Sequence, residues 1–200
     1  MRNNLTTLLS TSLLLVGLSG CVLGDRIGHS GQDAYSTFGN IDVKDGQTAG
    51  NLENNSGNIT VGRNAKVKKV DIINGNIEIG DFSQAYSLET VNGNIDVGES
   101  VVITHDIKTV NGQINIQQGV IVGANLIASN GDVTLAQKSV VKGDIIFEAS
   151  IFSSLAEEAT LKIADGVTIE GKIHLHKYVK IVLPESINRD KVVKHYLDGK

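Results

Sequence analysis

"VNGNIDVG" runs from Val91 to Gly98. The same phrase stands one step earlier as "INGNIEIG" (Ile73–Gly80) and before that as "NSGNITVG" (Asn55–Gly62). The apolar pair that closes each phrase can be followed along the chain. The pairs are Ile41/Val43, Ile59/Val61, Ile77/Ile79, Ile95/Val97, Ile114/Ile116, Val133/Leu135, Leu161/Ile163 and Val179/Ile181. Their first members are separated by 18, 18, 18, 19, 19, 28 and 18 residues. Each pair has the apolar-polar-apolar spacing of a strand with one buried face. Self-similarity at a fixed short period is the mark of a solenoid. Strands this short make no stable sheet alone. Stacked in parallel, each would pair with its equivalent one coil away, about 4.8 Å distant, giving a rod roughly 35–40 Å long. Isoleucine and valine suit such a column because their branched side chains pack well on a pleated surface.

The turn before each pair carries Asn74-Gly75, Asn92-Gly93, Asn111-Gly112 and Asn130-Gly131. Asparagine and glycine both tolerate positive φ, so this dipeptide marks a corner of the coil. At coil spacing Asn74, Asn92, Asn111 and Asn130 can bond one another, or the next backbone, in a ladder like those of stacked cross-β arrays. Gly62, Gly80 and Gly98 mark the following corner. A second strand per coil is legible in "VIVGANLI" (Val120–Ile127), "SVVKGDIIF" (Ser139–Phe147) and "GVTIEGKIHL" (Gly166–Leu175).

The chain begins "MRNNLTTLLSTSLLLVGLSGC". Arg2 followed by an apolar run over Leu8–Leu18 reads as a secretory signal, too short for a permanent membrane span. Leu18-Ser19-Gly20-Cys21 resembles the bacterial lipobox. The resemblance implies removal of residues 1–20, a diacylglycerol thioether and N-acylation on Cys21, and attachment to a membrane. Several acyl chains on one residue anchor stably, since each buried CH₂ adds about 0.8 kcal/mol. Val22 in place of Asp implies, by likeness to enterobacterial sorting rules, transfer to an outer membrane. Cys21 is the single cysteine, so no intramolecular disulfide forms and the exported fold rests on burial and backbone bonding.

Removing residues 1–20 takes away one of 18 basic residues, leaving 17 against 22 acidic ones. This balance gives no basic stripe for nucleic acid. Tryptophan is absent and aromatic residues make up 4%, so the core is aliphatic. The segments between Val120 and Leu183 resemble the coils of bactofilins, bacterial cytoskeletal proteins with a right-handed triangular β-helix. The Asn-Gly phrases look more like envelope proteins with adhesin-type β-solenoid domains. An 18-residue coil also fits a left-handed hexapeptide helix, but the second half of each coil keeps no hexapeptide phase. The expected fold is all-β: a single-stranded parallel β-helix of about eight coils of 18–19 residues, right-handed, closed by a C-terminal capping helix.

Residues 21–34 read as the lipidated N-terminus and a tether, 35–187 as the solenoid and 188–200 as the cap. A solenoid must hide its terminal strands. After Pro184, Asn188 suits an N-cap, Asp190 a first turn, and Val192, Val193, Tyr196 and Leu197 one helical face. Tyr35 and Phe38 are placed to cover the first coil. The 28-residue step holds ten extra residues within 148–159, where Ser154–Glu157 has capping-box spacing and Ile151, Phe152 and Leu155 give an apolar face. That segment is either a protrusion for a partner or a flap packed on the rod.

The polar residues between each apolar pair, among them Asp42, Glu78, Asp96, Lys162 and Lys180, stack along one outer face. Glu78 and Asp96 come one coil apart, close enough to interact. Some β-helix enzymes cut acidic polysaccharides with such carboxylates and Ca²⁺, but they also need a basic group, and none is evident beside this pair. His174 and His176 flank inward Leu175 in a spacing that metals use; no third ligand is evident, Lys172 and Lys177 oppose a cation, and His105 has no evident partner. No catalytic residue, cofactor or metal is expected. The function expected is a non-enzymatic lipoprotein acting as a scaffold or interaction surface in the cell envelope. A polysaccharide-binding module is the alternative, and a bactofilin-like polymer a further one, which the lipid and the cap oppose.

Overall fold

The computed structural model describes residues 25–26, 31–149 and 158–196. Cys21 and residues 150–157 lie outside them, and with them the readings of the lipid anchor and of the helical turn at Ser154–Glu157. The described chain is a parallel β-solenoid with three strands per coil, one more than the sequence disclosed. Two nine-stranded sheets and one five-stranded sheet form the sides.

The first face is built from the predicted apolar pairs, beginning with Ile41–Val43, Ile59–Val61, Ile77–Ile79 and Ile95–Val97. Each aligns with its equivalent: Ile77 with Ile95, Ile95 with Ile114, Ile114 with Val133. The short second face contains Gln84–Ala85, Val102–Ile103, Ile121–Val122, Val140–Val141 and Thr168–Ile169. Earlier coils continue this face only as bridges, Thr48 to Lys66 and Lys66 to Gln84. The third face, of strands such as Lys69–Asn74 and Ser87–Asn92, leads into the Asn-Gly corner. All strand pairings among the described residues are parallel, so strand amides find their partners in neighbouring coils.

The core is one aliphatic cluster along the axis. Ile41, Ile59, Ile77, Ile95 and Ile114 are fully buried, and among the described residues Phe147 is the largest fully buried side chain. The residue count per coil can vary because additions fall at corners. The 28-residue step is absorbed between Phe147 and Ala159, after which Leu161 pairs with Val133 in normal phase.

Three expectations are corrected. The last first-face strand is offset by two residues: Leu161 pairs with Ile181, not Val179, and Lys162 lies beside Val182, not Lys180. A two-residue offset preserves which side chains face inward, and here it removes a lysine-on-lysine contact. The chain between Leu175 and Val179 has no Asn-Gly corner to fix the shorter register.

The expected C-terminal helix is also replaced. A single 3-10 turn, Arg189–Lys191, is followed by strand Val192–Lys194, which pairs with Ile173–Leu175. Asn188 does cap this turn, accepting a bond from the Asp190 amide at 2.9 Å. A short helix is marginal by itself and would leave the edge of the last third-face strand open. Valines 192 and 193 favour extended backbone, and pairing satisfies both partners. The covering role remains, carried by Ile187, Leu183, Val192 and Tyr196 on the end of the core.

At the other end, Tyr35 and Phe38 do not cover the first coil: they are 56% and 64% exposed. Ala34 and Ser36 turn inward in that strand instead. Stacking also reaches further back than residue 35, because Asp25–Arg26 pairs with Ile41–Asp42.

Candidate functional site

The Asn-Gly corner is a hydrogen-bonded spine. Asn92 Nδ2 donates to Asn74 Oδ1 at 2.9 Å, Asn111 Nδ2 to Asn92 Oδ1 at 2.8 Å, and Asn130 Nδ2 to Asn111 Oδ1 at 2.9 Å. Asn74 Nδ2 reaches the Asn55 carbonyl at 3.5 Å, and Lys177 Nζ donates to Asn130 Oδ1 at 3.4 Å from beyond the insertion. Burial holds the Lys177 ammonium below the usual lysine range. The adjoining glycines explain the invariance of the phrase. Gly75, Gly93, Gly112 and Gly131 have φ of 148°, 159°, 154° and 139°. A Cβ on any of them would strike the carbonyl oxygen of the equivalent glycine one coil earlier.

The second asparagine of "NGN" has a role that the sequence reading missed. Asn40 Oδ1 accepts the Asn58 amide, Asn58 Oδ1 that of Asn76, and Asn76 Oδ1 that of Asn94, at 2.8–3.0 Å. The same arrangement recurs at the other two corners. Asp45 and Asp81 accept from Arg63 and Glu99, while Asp106, Asn125 and Asp144 accept from Asn125, Asp144 and Lys172. Each corner thus leaves an amide that the preceding coil's short polar side chain satisfies. The signal was visible as the recurrence of Asn40, Asn58, Asn76 and Asn94 at the coil period.

Outer surfaces carry the candidate chemistry. On the first face Glu78 and Asp96 are in register, and Asn115 Nδ2 donates to Asp96 at 2.8 Å. They line an open depression of about 370 Å³ that also includes Arg63. This is the basic group that seemed missing. It is engaged by Asp81 at 3.5 Å, so the depression holds a paired cation beside two carboxylates.

The third face bears a second acidic column that sequence reading did not single out. Glu53, Asp71 and Glu89 align over three successive coils. Burial raises the Asp71 pKa, and the charges of Glu89 and then Glu53 add to this, with Lys69 opposing. Alongside run Ile73 and Val91, both exposed, and Tyr35 stands at the end. Together these residues line a shallow trough of about 360 Å³. The signal was an alternation of acid and apolar residues two apart on the strand, hidden because that strand's outward face was not assigned.

The histidines also acquire partners. His105 stacks on Tyr86 with ring centroids 3.9 Å apart, and its Nε2 lies 2.9 Å from the Tyr86 hydroxyl. His174 and His176 are joined by His195 from the terminal strand. His174 Nδ1 is 2.9 Å from His195 Nε2, and the His176 ring stacks on His195 at 4.3 Å. His174 Nδ1 and His195 Nε2 are spent on each other, and among the described residues no group of three His, Cys, Asp or Glu side chains is arranged to hold a metal.

The chain matches no family model, no curated protein and no solved structure.

Proposed function

We propose that this chain is a non-enzymatic lipoprotein of a bacterial envelope, a stiff spacer fixed to a membrane through Cys21 and offering its faces to a partner. The observation that carries the reading is the architecture of the surface. The side chains that converge do so within open strips repeated at coil spacing, and the described depressions are shallow. Such a surface suits extended contact rather than turnover, which needs groups held around a reacting atom. The lipobox-like Leu18-Ser19-Gly20-Cys21 supports the anchor, and Val22 supports an outer-membrane destination. The right-handed coil sense is part of the same proposal, since parallel strand crossovers are right-handed in nearly all sheets.

Export with a labelled fatty acid tests the anchor. The wild-type chain should incorporate label and partition into detergent, whereas Cys21→Ser should remain as an unlabelled precursor. A Cys21→Ser chain that sediments with membranes to the wild-type extent would overturn it. Photo-crosslinkers at Ile73 and Val91 test the contact surface, with a discrete adduct expected there and none from Lys138 on the opposite part of the coil.

A polysaccharide ligand is the second reading, favoured by exposed Tyr35 beside Glu53, Asp71 and Glu89. An aromatic ring next to carboxylates can stack on a sugar and accept from its hydroxyls. Glycan binding lost on Tyr35→Ala would select this reading.

A further inference from the structure

The C-terminal cap is held unlike the rest of the rod. None of the residues in the 3-10 turn is buried, and Val192–Lys194 is only partly covered. Its attachments are few. Besides strand pairing and the 2.8 Å bond from the His195 amide to the Leu175 carbonyl, Lys191 Nζ reaches the Glu170 and Gly171 carbonyls at 3.2 and 3.0 Å. Val192 and Tyr196 pack on the end of the core, Tyr196 meets Tyr178 edge-on, and the histidine cluster ties the cap to strand Ile173–Leu175. Elements so thinly covered open at lower free energy than the core.

The geometry of that cluster depends on protons. A hydrogen bond between His174 Nδ1 and His195 Nε2 needs one nitrogen to donate and the other to accept. One added proton is accommodated by the geometry: a doubly protonated His174 can donate from Nδ1 to His195 and point Nε2 toward Asp144 Oδ2, 3.7 Å away. An imidazolium at both positions would set two N–H groups against each other. His176, stacked on His195, adds a third ring to the same spot.

Charged groups of both signs stand beside the cluster. Asp144, Glu170 and Asp190 share the cleft beside His174 with Lys172 and Lys191. On the cap, Lys194 stands over the Tyr196 ring, with Tyr178 edge-on to Tyr196.

We propose that residues 188–196 form a proton-operated latch. The cap is closed while the His174–His195 pair carries at most one extra proton. Further protonation of the cluster in mild acid releases it and uncovers the edge of strand Ile173–Leu175. The open cap accepts charge on all three rings independently, whereas the closed cap does not. Proton uptake therefore accompanies opening, and by linkage a fall in pH favours it. The window lies between about pH 7 and 5, where histidine ordinarily changes charge.

Hydrogen exchange of the purified full chain tests this, with each rate corrected for the intrinsic effect of pH. Between pH 7.5 and 5.0 the protection factor of the His195 amide should fall at least about tenfold, the change expected for one unit of differential proton affinity. Amides of Ile95–Ile116 should keep theirs. In His174→Gln/His195→Gln, glutamines retain donor and acceptor capacity without titrating, so the acid-dependent loss should vanish. Protection at His195 that is equal at both pH values in the wild type overturns the latch. So does an acid-dependent loss that persists undiminished in the double variant. Should the glutamines themselves loosen the cap, the wild-type titration decides: a midpoint between about pH 5 and 7 supports the latch, and none in that range refutes it.

Discussion

Ile95→Asp places a carboxyl at the centre of the core column, between Ile77 on one side and Ile114 on the other. Ile95 has no exposed surface. Truncating such a side chain costs about 2–5 kcal/mol in lost burial and unfilled space. The new carboxyl has no partner there and must stay neutral. Holding it so at pH 7, three units above an ordinary aspartate pKa of about 3.9, adds about 4 kcal/mol at 1.36 per unit. The total, about 6–9 kcal/mol, rivals the whole stability of an ordinary domain. Coils touch only their neighbours, so the damage should split the rod into two weaker halves. The sign with pH follows. The folded-state pKa of this carboxyl is raised, so the charge penalty is present above the unfolded pKa and fades as pH falls toward 4. Urea denaturation followed by circular dichroism should therefore show a severe loss at pH 7 and partial recovery at pH 4. Asp96→Asn, one residue along on the outside, should change stability by under about 1 kcal/mol. Equal effects from the two substitutions would refute the inward and outward assignment.

Other outcomes follow from the corners and the surface. Asn92→Ala removes both of its amide bonds in the spine, to Asn74 and from Asn111; thermal unfolding should report a loss of about 1–3 kcal/mol. Gly93→Ala should exceed the 1–3 kcal/mol of a strained φ alone, because its Cβ meets the Gly75 carbonyl. Gly46→Ala should cost no more than that strain, since φ there is 70° and nothing lies within 4 Å. The raised pKa of Asp71 means that its charge opposes folding at neutral pH. Asp71→Asn should stabilise by a few tenths of a kcal/mol at pH 7, screened as exposed charges are, and the gain should vanish near pH 4 in a urea titration.

The coil was legible because one corner and one strand obey strict rules. Only glycine fits at positions 75, 93, 112 and 131, only short amides complete the spine, and only aliphatic residues fit between stacked coils. The second face was not separated from the third because its strands are two residues long and chemically mixed, Gln84–Ala85 in one coil and Val102–Ile103 in the next. With that face unassigned, the outward phase of the third face was unreadable, and the Glu53–Asp71–Glu89 column went with it. The C-terminal segment misled for a different reason. Asn188 and Asp190 are real capping residues, but they start a turn of three residues, and the free edge of Ile173–Leu175 draws Val192–Lys194 into the stack. Partners of His105 and His174 lie 19 and 21 residues away. They were recoverable only with the coil period applied to the aromatic and histidine positions.

Stacking in register makes distance depend on the number of coils rather than on the number of residues. Spin labels on the outward first-face positions Asp42, Thr60, Glu78, Asp96 and Asn115, each paired with Thr134 in a Cys21→Ser background, measure this by pulsed electron resonance for the widest pairs and continuous-wave broadening for the nearest. The separation should shrink by about 4.8 Å per coil, from roughly 24 Å for the Asp42 pair, in equal steps although each step spans a whole coil of sequence. Distances that scatter without that increment, or that grow with residue separation as in an extended or hairpin chain, would contradict the solenoid.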